Sequence, residues 1–219
     1  MKILAISDEV SPALYDFYIP GRLDGFDLII SCGDLKPQYL SFLVTMTRVP
    51  LLYVHGNHDG IYEKRPPEGC DCIEDKLVVY KGLRILGLGG TPRYNAGKHQ
   101  YSEAQMKWRI FKLKRKIRKH KGVDIVVSHA PLLGVGDGED YAHRGFQAFL
   151  EFVDSYKPKY WLHGHMHLNY TQDKIRLREY NGTQVINVSE RYVLEIPEES
   201  ITPSDRVGDI DYSHYNTWK

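Results

Sequence analysis

Five short apolar runs in this chain each stop at Asp, Asn or His. Ile3-Leu4-Ala5-Ile6-Ser7 runs into Asp8, and Leu28-Ile29-Ile30-Ser31-Cys32 runs into Gly33-Asp34. Leu51-Leu52-Tyr53-Val54-His55 runs into Gly56-Asn57-His58-Asp59, and Ile125-Val126-Val127-Ser128 into His129. Tyr160-Trp161-Leu162 runs into His163-Gly164-His165-Met166-His167. Runs of this length and composition suit buried strands. Ligands of open α/β sheets lie beyond the carboxyl ends of the strands, where these polar residues would gather. One residue class repeated at five strand ends points to a single metal site rather than to unrelated turns.

The segments between the runs alternate with them. Ser11 to Phe17 reads as a short helix with Ser11 as N-cap and Pro12 at its first position. Pro37 to Thr47 places Leu40, Leu43 and Val44 on one helical face. Tyr101 to Lys121 repeats Met106, Ile110, Leu113 and Ile117 at helical spacing and stops at Gly122. A further helix opens at His143-Arg144-Gly145 and runs to about Tyr156. Strand and helix alternation favours a parallel sheet with crossover helices. Leu77–Tyr80 with Leu83–Leu88 reads as a hairpin across Lys81-Gly82, and Lys174–Tyr180 with Gln184–Val188 as another across Asn181-Gly182. Residues 1–190 form one domain in this reading. Residues 191–219 form an acidic, aromatic extension carrying Tyr192, Tyr212, Tyr215 and Trp218, expected to pack on the domain or on a neighbouring subunit.

In this order, Asp8, Gly33-Asp34, Gly56-Asn57-His58-Asp59, His129 and Gly164-His165-Met166-His167 resemble the motifs of the calcineurin-like metallophosphoesterase family, over about residues 1 to 190. The resemblance implies a four-layer α/β/β/α sandwich and a metal-dependent phosphoesterase with a dinuclear centre. It implies that Asp8 and His167 bind a first metal, that Asp34 bridges both, and that Asn57, His129 and His165 bind a second. It gives His58 a place beside the phosphate, protonating the leaving oxygen, and Asp59 the task of orienting the His58 imidazole. The first motif departs from the family: Asp8-Glu9-Val10 has valine where the family has histidine. Three protein ligands, Asp8, Asp34 and His167, then remain for the first metal, which is expected to bind weakly. Glu9 is expected to face away from the site, because neighbours on a strand alternate faces.

Two metal ions close together offset the charge on phosphorus and lower the pKa of water toward neutrality. Asp, Asn and His donors suit Mn²⁺ or Fe²⁺, whereas Ca²⁺ and Mg²⁺ take mostly oxygen. His143 and Arg144 are candidates for substrate contact, Arg for its bidentate fork and both for the helix start that follows them. The substrate expected is a small phosphoester, a phosphodiester in preference to a monoester. Two rivals stay open. One is a nuclease of the same fold using the basic helix 101–121. The other is a non-catalytic metal- or nucleotide-binding protein.

Composition narrows the partners. The net charge is +1 and 42% of residues are hydrophobic, so nothing global points to nucleic acid or membrane. Lys107, Arg109, Lys112, Lys114, Arg115, Lys116, Arg118, Lys119 and Lys121 cluster on one helix. Without aromatic alternation they read as a solvated face rather than a nucleic-acid surface. No apolar stretch is long enough to span a bilayer. The chain enters a strand at once, without a basic region, apolar core or cleavage site, which is read as a mature cytoplasmic N-terminus. The three cysteines are read as free thiols of a reducing compartment.

Overall fold

A computed structural model describes residues 1–168, 175–200 and 203–212. In chain order the elements are β1 (Lys2–Ser7), β2 (Leu28–Ser31), α1 (Pro37–Thr45), β3 (Leu51–Tyr53), β4 (Asp71–Cys72), β5 (Leu77–Tyr80), β6 (Leu83–Leu88), β7 (Thr91–Pro92), β8 (Gln100–Tyr101), α2 (Glu103–Lys119), β9 (Ile125–Ser128), α3 (Gln147–Tyr156), β10 (Tyr160–His163), β11 (Leu177–Tyr180), β12 (Thr183–Asn187) and β13 (Glu190–Glu195). One sheet has the order β13-β1-β2-β3-β4 and the other β11-β12-β10-β9-β6-β5, and β7-β8 is a small ribbon. β1 to β4 run parallel in the first sheet, and β6, β9, β10 and β12 in the second. Antiparallel strands sit at the edges: β13 beside β1, β11 beside β12, and β5 beside β6.

The continuous apolar runs follow from burial on both faces. Ile3, Ala5, Leu28, Ile30 and Leu52 of the first sheet pack against Ile85, Ile125, Val127, Leu162 and Ile186 of the second. The alternate residues of the first sheet, Leu4, Ile6, Ile29 and Leu51, meet Leu14, Leu40 and Leu43 on the α1 side. Those of the second, Leu86, Val126, Trp161 and Val185, meet α2 and α3 through Met106, Ile110, Phe149 and Phe152. Three apolar layers between four layers of secondary structure make the α/β/β/α sandwich.

Local sequence fixes most boundaries. Pro37 opens α1. α2 begins with a capping box: Gln105 N–H donates to Ser102 Oγ at 3.2 Å, and Ser102 N–H donates to Gln105 Oε1 at 2.8 Å. Both hairpin turns put two residues at positive φ, Lys81-Gly82 (46° and 84°) and Asn181-Gly182 (48° and 82°), as two-residue turns between twisted strands require. The expected helix over Ser11 to Phe17 is a single 3-10 turn, Pro12–Leu14. Ser11 Oγ donates to Glu190 Oε1 at 2.8 Å instead of capping it.

Two other expectations change. The helix expected at His143-Arg144-Gly145 begins at Gln147, so His143 and Arg144 lie in the loop before it. Its first N–H groups are also occupied: Gln147 and Ala148 donate to the Glu103 carboxylate at 2.8 and 3.1 Å. The anion-favouring helix start is therefore filled by a side chain of α2. A domain boundary at 190 falls at the first residue of β13, which pairs with β1 from Glu190 to Glu195. Leu194, Ile196 and Tyr212 join the core between the sheets. The Asp209 N–H donates to Leu77 O at 2.8 Å, and Leu77 N–H donates to Asp209 Oδ2 at 2.7 Å. The expected strand start at Lys174 and the aromatics Tyr215 and Trp218 lie outside the described residues.

Candidate metal centre

The parallel strands of both sheets deliver their carboxyl ends to one edge, where Asp8, Asp34, Asn57, His129 and His165 follow β1, β2, β3, β9 and β10. Bonds between neighbouring strand ends within each sheet lock this edge. Asp8 N–H donates to Gly33 O at 3.2 Å, and Gly164 N–H donates to His129 O at 3.0 Å. Asp8, Asp34 and His165 have φ of 63°, 57° and 68°. Positive φ is uncommon for residues other than glycine and costs energy, and it clusters at functional sites. Here it turns each side chain off the strand direction and over the sheet edge. The backbones come so close that a Cβ on Gly56 would lie 2.1 Å from Asp34 Oδ1, and one on Gly33 would lie 2.3 Å from Gly56 N.

His129 is fully buried, and its Nδ1 lies 2.8 Å from Cys32 O. That carbonyl only accepts, so Nδ1 carries the proton and donates it. Nε2 then faces Asp34 Oδ2 at 3.2 Å and Asn57 Oδ1 at 3.1 Å. Asn57 Nδ2 donates to the Tyr94 hydroxyl at 2.8 Å, which fixes the amide with its oxygen toward His129. His165 Nε2 lies 2.8 Å from Ala142 O, so that nitrogen is likewise the donor and Nδ1 keeps its lone pair. Ligand atoms of Asp34, His129 and His165 lie within 4.8 Å of one another. Three potential ligand atoms crowd together here, each group oriented by a partner behind it. Carbonyl-backed imidazoles are the usual support of metal-ligating histidines. The donor set fits a divalent cation.

The charges respond to this crowding. Burial opposes the charge of Asp34, but the His129 imidazole and the His58 N–H bring its pKa down to about 2. Burial also opposes a charged His129, yet Asp34 and Asp8 raise it to about 9. Burial and the neighbouring His129 push His165 down to about 3. A strong negative field over a buried imidazole marks a place where a cation is attracted.

Asp8 touches this cluster through the backbone: His165 N–H lies 3.0 Å from each of its carboxylate oxygens, and Ser7 Oγ donates at 2.6 Å. His167 is not drawn in. It is exposed, and its Nδ1 lies 3.1 Å from Glu9 Oε1. Glu9, expected to face away, is thus placed against a candidate ligand, because the chain does not stay extended past Ser7. His58 is exposed, and its N–H donates to Asp34 Oδ1 at 2.8 Å. Asp59 does not hold the His58 ring: among the described residues no hydrogen bond joins the two. Asp59 Oδ2 instead accepts Asp34 N–H at 2.8 Å and Gly56 N–H at 2.7 Å. Its task is to tie the second motif to the third, since a buried carboxylate facing two N–H groups satisfies them first.

The His143 ring is 5.2 Å from that of His165, and its Nδ1 lies 2.8 Å from Asp140 Oδ2. Arg144 is exposed beside it. The residues that sequence reasoning missed are Tyr94, between β7 and β8, and the carbonyls of Cys32 and Ala142. Backbone acceptors leave no mark in a residue string. Nor is the helix 101–121 a wholly solvated face. Arg109 is buried and pairs with Glu74 and with Asp75, 2.8 Å away, with its guanidinium 4.3 Å from the centre of the Tyr101 ring. Trp108 and Phe111, 60% and 55% exposed, stack on its outer side at 5.4 Å.

The family described as calcineurin-like phosphoesterase matches residues 1–169. The chain is 24% identical over 200 residues to the UPF0046 protein K07C11.7 of Caenorhabditis elegans, covering 76% of this chain and 63% of that protein. It thus spans less than two thirds of that curated relative. Two crystal structures are similar in fold. One has a TM-score of 0.63 at 15% identity and covers 88% of this chain and 94% of its own. The other, TT1561 of Thermus thermophilus, has a TM-score of 0.59 at 15% identity and covers 86% and 89%.

Proposed function

The chain belongs to the calcineurin-like phosphoesterase family, and on that premise we propose that it hydrolyses a phosphodiester with the help of two divalent cations, Mn²⁺ or Fe²⁺. The observation that carries this reading is the convergence of Asp34 Oδ2 and Asn57 Oδ1 on His129 Nε2, at 3.2 and 3.1 Å, with His129 Nδ1 already committed to Cys32 O. Asp34, Asn57, His129 and His165 would hold one ion, and Asp8, Asp34 and His167 the other. When bound, such a pair offsets the charge of the phosphoryl group and supplies a water acidic enough to act near neutral pH. Mixed oxygen and nitrogen donors support Mn²⁺ or Fe²⁺ over Ca²⁺ or Mg²⁺.

The chain's own side chains do the rest. His58 is carried to the cluster by its N–H bond to Asp34, which leaves its imidazole open to donate a proton to the leaving oxygen. Asp140 holds His143 through Nδ1, and in the imidazolium form the ring's Nε2–H can donate to a phosphoryl oxygen. Arg144 supplies a guanidinium. The three free thiols support a reducing, cytoplasmic setting. Among the described residues no helix is long and apolar enough to cross a membrane.

The test is a comparison of bis-p-nitrophenyl phosphate with p-nitrophenyl phosphate, on protein stripped by chelator and then given Mn²⁺. The expected result is hydrolysis that returns with Mn²⁺ and favours the diester. Full turnover without any metal would refute the reading. A nuclease of the same fold is the second reading, and one observation favours it. The stacked Trp108–Phe111 pair lies on a helix where Lys112, Arg115, Arg118 and Lys119 remain exposed. Aromatic faces beside cations bind single strands by stacking and charge. Binding of an oligonucleotide that weakens with salt and with Trp108→Ala would support it.

A further inference from the structure

We infer that Glu9 is a ligand of the first metal position and stands in for the imidazole that Val10 cannot supply. The inference rests on the two-metal phosphoesterase reading and names the residue that completes its weaker half.

On a continuing strand, Asp8 and Val10 would share a face and Glu9 would point the opposite way. The chain leaves the strand at Asp8. Glu9 N–H donates to Ser7 O at 2.6 Å, and Asp8 between them has a φ of 63°. A three-residue turn closed by an i to i+2 bond, with positive φ at its centre, is a γ-turn of the rare, strained kind. Such strain persists only where the surroundings hold it. Here the site itself does so: the Asp8 carboxylate is held by His165 N–H and Ser7 Oγ, and Asp8 N–H by Gly33 O.

Two consequences follow from the turn. Val10 goes to the core, packing against the group that contains Leu4, Ile6 and Leu14. Glu9 goes to the rim of the site, where its Oε1 meets His167 Nδ1 at 3.1 Å. The side chain that follows Asp8 on the site's side is thus Glu9, one position earlier than the family's histidine. An exposed carboxylate–imidazole pair contributes little stability on its own account, so stability alone does not explain a strained turn that brings the two together. A carboxylate, an imidazole and the neighbouring Asp8 make an oxygen and nitrogen set of the kind that suits Mn²⁺ or Fe²⁺. The Glu9–His167 pair is solvent-accessible and separate from the buried Asp34–His129–His165 cluster, so an ion held there would exchange more readily.

The test uses the full chain, stripped with chelator and titrated with Mn²⁺ by calorimetry and by electron paramagnetic resonance. Wild type, Glu9→Gln and Glu9→His are compared, with thermal melts of each. Glu9 is partly exposed, so all three are expected to melt alike without metal. Wild type is expected to bind two ions of unequal affinity, with the spectrum broadened by their proximity. Glu9→Gln should keep the tighter ion and weaken the other by about 10- to 100-fold. Glu9→His should recover it. Unchanged binding of both ions by Glu9→Gln would overturn the inference, and so would a wild type that binds one ion only. The first result leaves the two-metal reading standing, and the second removes its second ion while leaving a metal-dependent phosphoesterase. A wild type that binds no divalent ion would overturn that reading as well.

Discussion

His58 and Glu74 show how differently single residues carry this protein. His58 is exposed, and among the described residues its hydrogen bond to the cluster is made by its backbone N–H. His58→Ala should therefore lower kcat by roughly 10²- to 10⁴-fold while the bound metal, measured by elemental analysis, stays the same. Loss of metal with normal turnover per ion would show the ring to be a ligand instead. Glu74 is structural. It accepts His55 N–H at 3.2 Å and is paired with Arg109 inside the fold. Burial opposes its charge, but Arg109 and His55 more than offset this and hold its pKa at about 2, below the ordinary 4.5. A depressed carboxyl stabilises the fold in full above the unfolded value and loses that contribution as pH falls through the folded one. Wild type should exceed Glu74→Gln by on the order of 3 kcal/mol in denaturant titrations above about pH 4.5. The gap should close as pH falls toward about 2, and a gap independent of pH would contradict the assignment.

At the scale of the element, the ends of the strands hold the site, and their spacing is the constraint. A Cβ on Gly164 would lie 2.4 Å from Ser7 Oγ and 2.7 Å from Asp8 Oδ2. Gly164→Ala should push the loop after β10 away from Asp8 and weaken Mn²⁺ binding by about tenfold or more, read by calorimetry. The fold should persist, because the clash is confined to that edge. The turn after β1 gives the opposite lesson. Restoring the family's histidine with Val10→His places an imidazole where Val10 packs beside apolar side chains. It should cost about 1–3 kcal/mol in stability and leave the affinity for the weaker Mn²⁺ ion unchanged. A tighter second ion in this variant would mean that position 10 reaches the metals after all.

For the whole molecule, the site joins two sheets that meet elsewhere through an apolar layer and a few polar links, such as the Tyr80 hydroxyl donating to Asp27 O. Asp8, Asp34 and Asn57 come from the first sheet, and His129 and His165 from the second. An ion held by both sheets binds the folded state alone, so it stabilises the assembly by mass action. At about 100 times the dissociation constant this amounts to about 2.7 kcal/mol, and for a chain of this size each kcal/mol moves Tm by about 2–4 °C. Chelation should therefore lower Tm by about 5–10 °C, and Mn²⁺ should restore it. A Tm indifferent to both would mean that the two sheets share no ion.

Five apolar runs ending in Asp, Asn or His were enough to locate β1, β2, β3, β9 and β10, their parallel course and the edge where the candidate site lies. Buried strands need unbroken apolar residues, and a sheet presents its ligands at the strand ends, so both are written locally. The hairpin turns were legible for the same reason: Lys81-Gly82 and Asn181-Gly182 sit where both residues need positive φ. What tertiary structure decided was orientation. Whether Glu9 or Val10 faces the site depends on one γ-turn, fixed by bonds to Ser7, Gly33 and His165 from three separate strand ends. That Asp59 ties Gly56 and Asp34 together instead of holding His58 depends on two N–H groups that no residue letter encodes. That Glu103 fills the start of α3 depends on α2 lying beside it. Sequence patterns determine what a segment buries and where it ends. The bond a polar side chain makes there is set by whichever donor or acceptor the rest of the fold brings within reach.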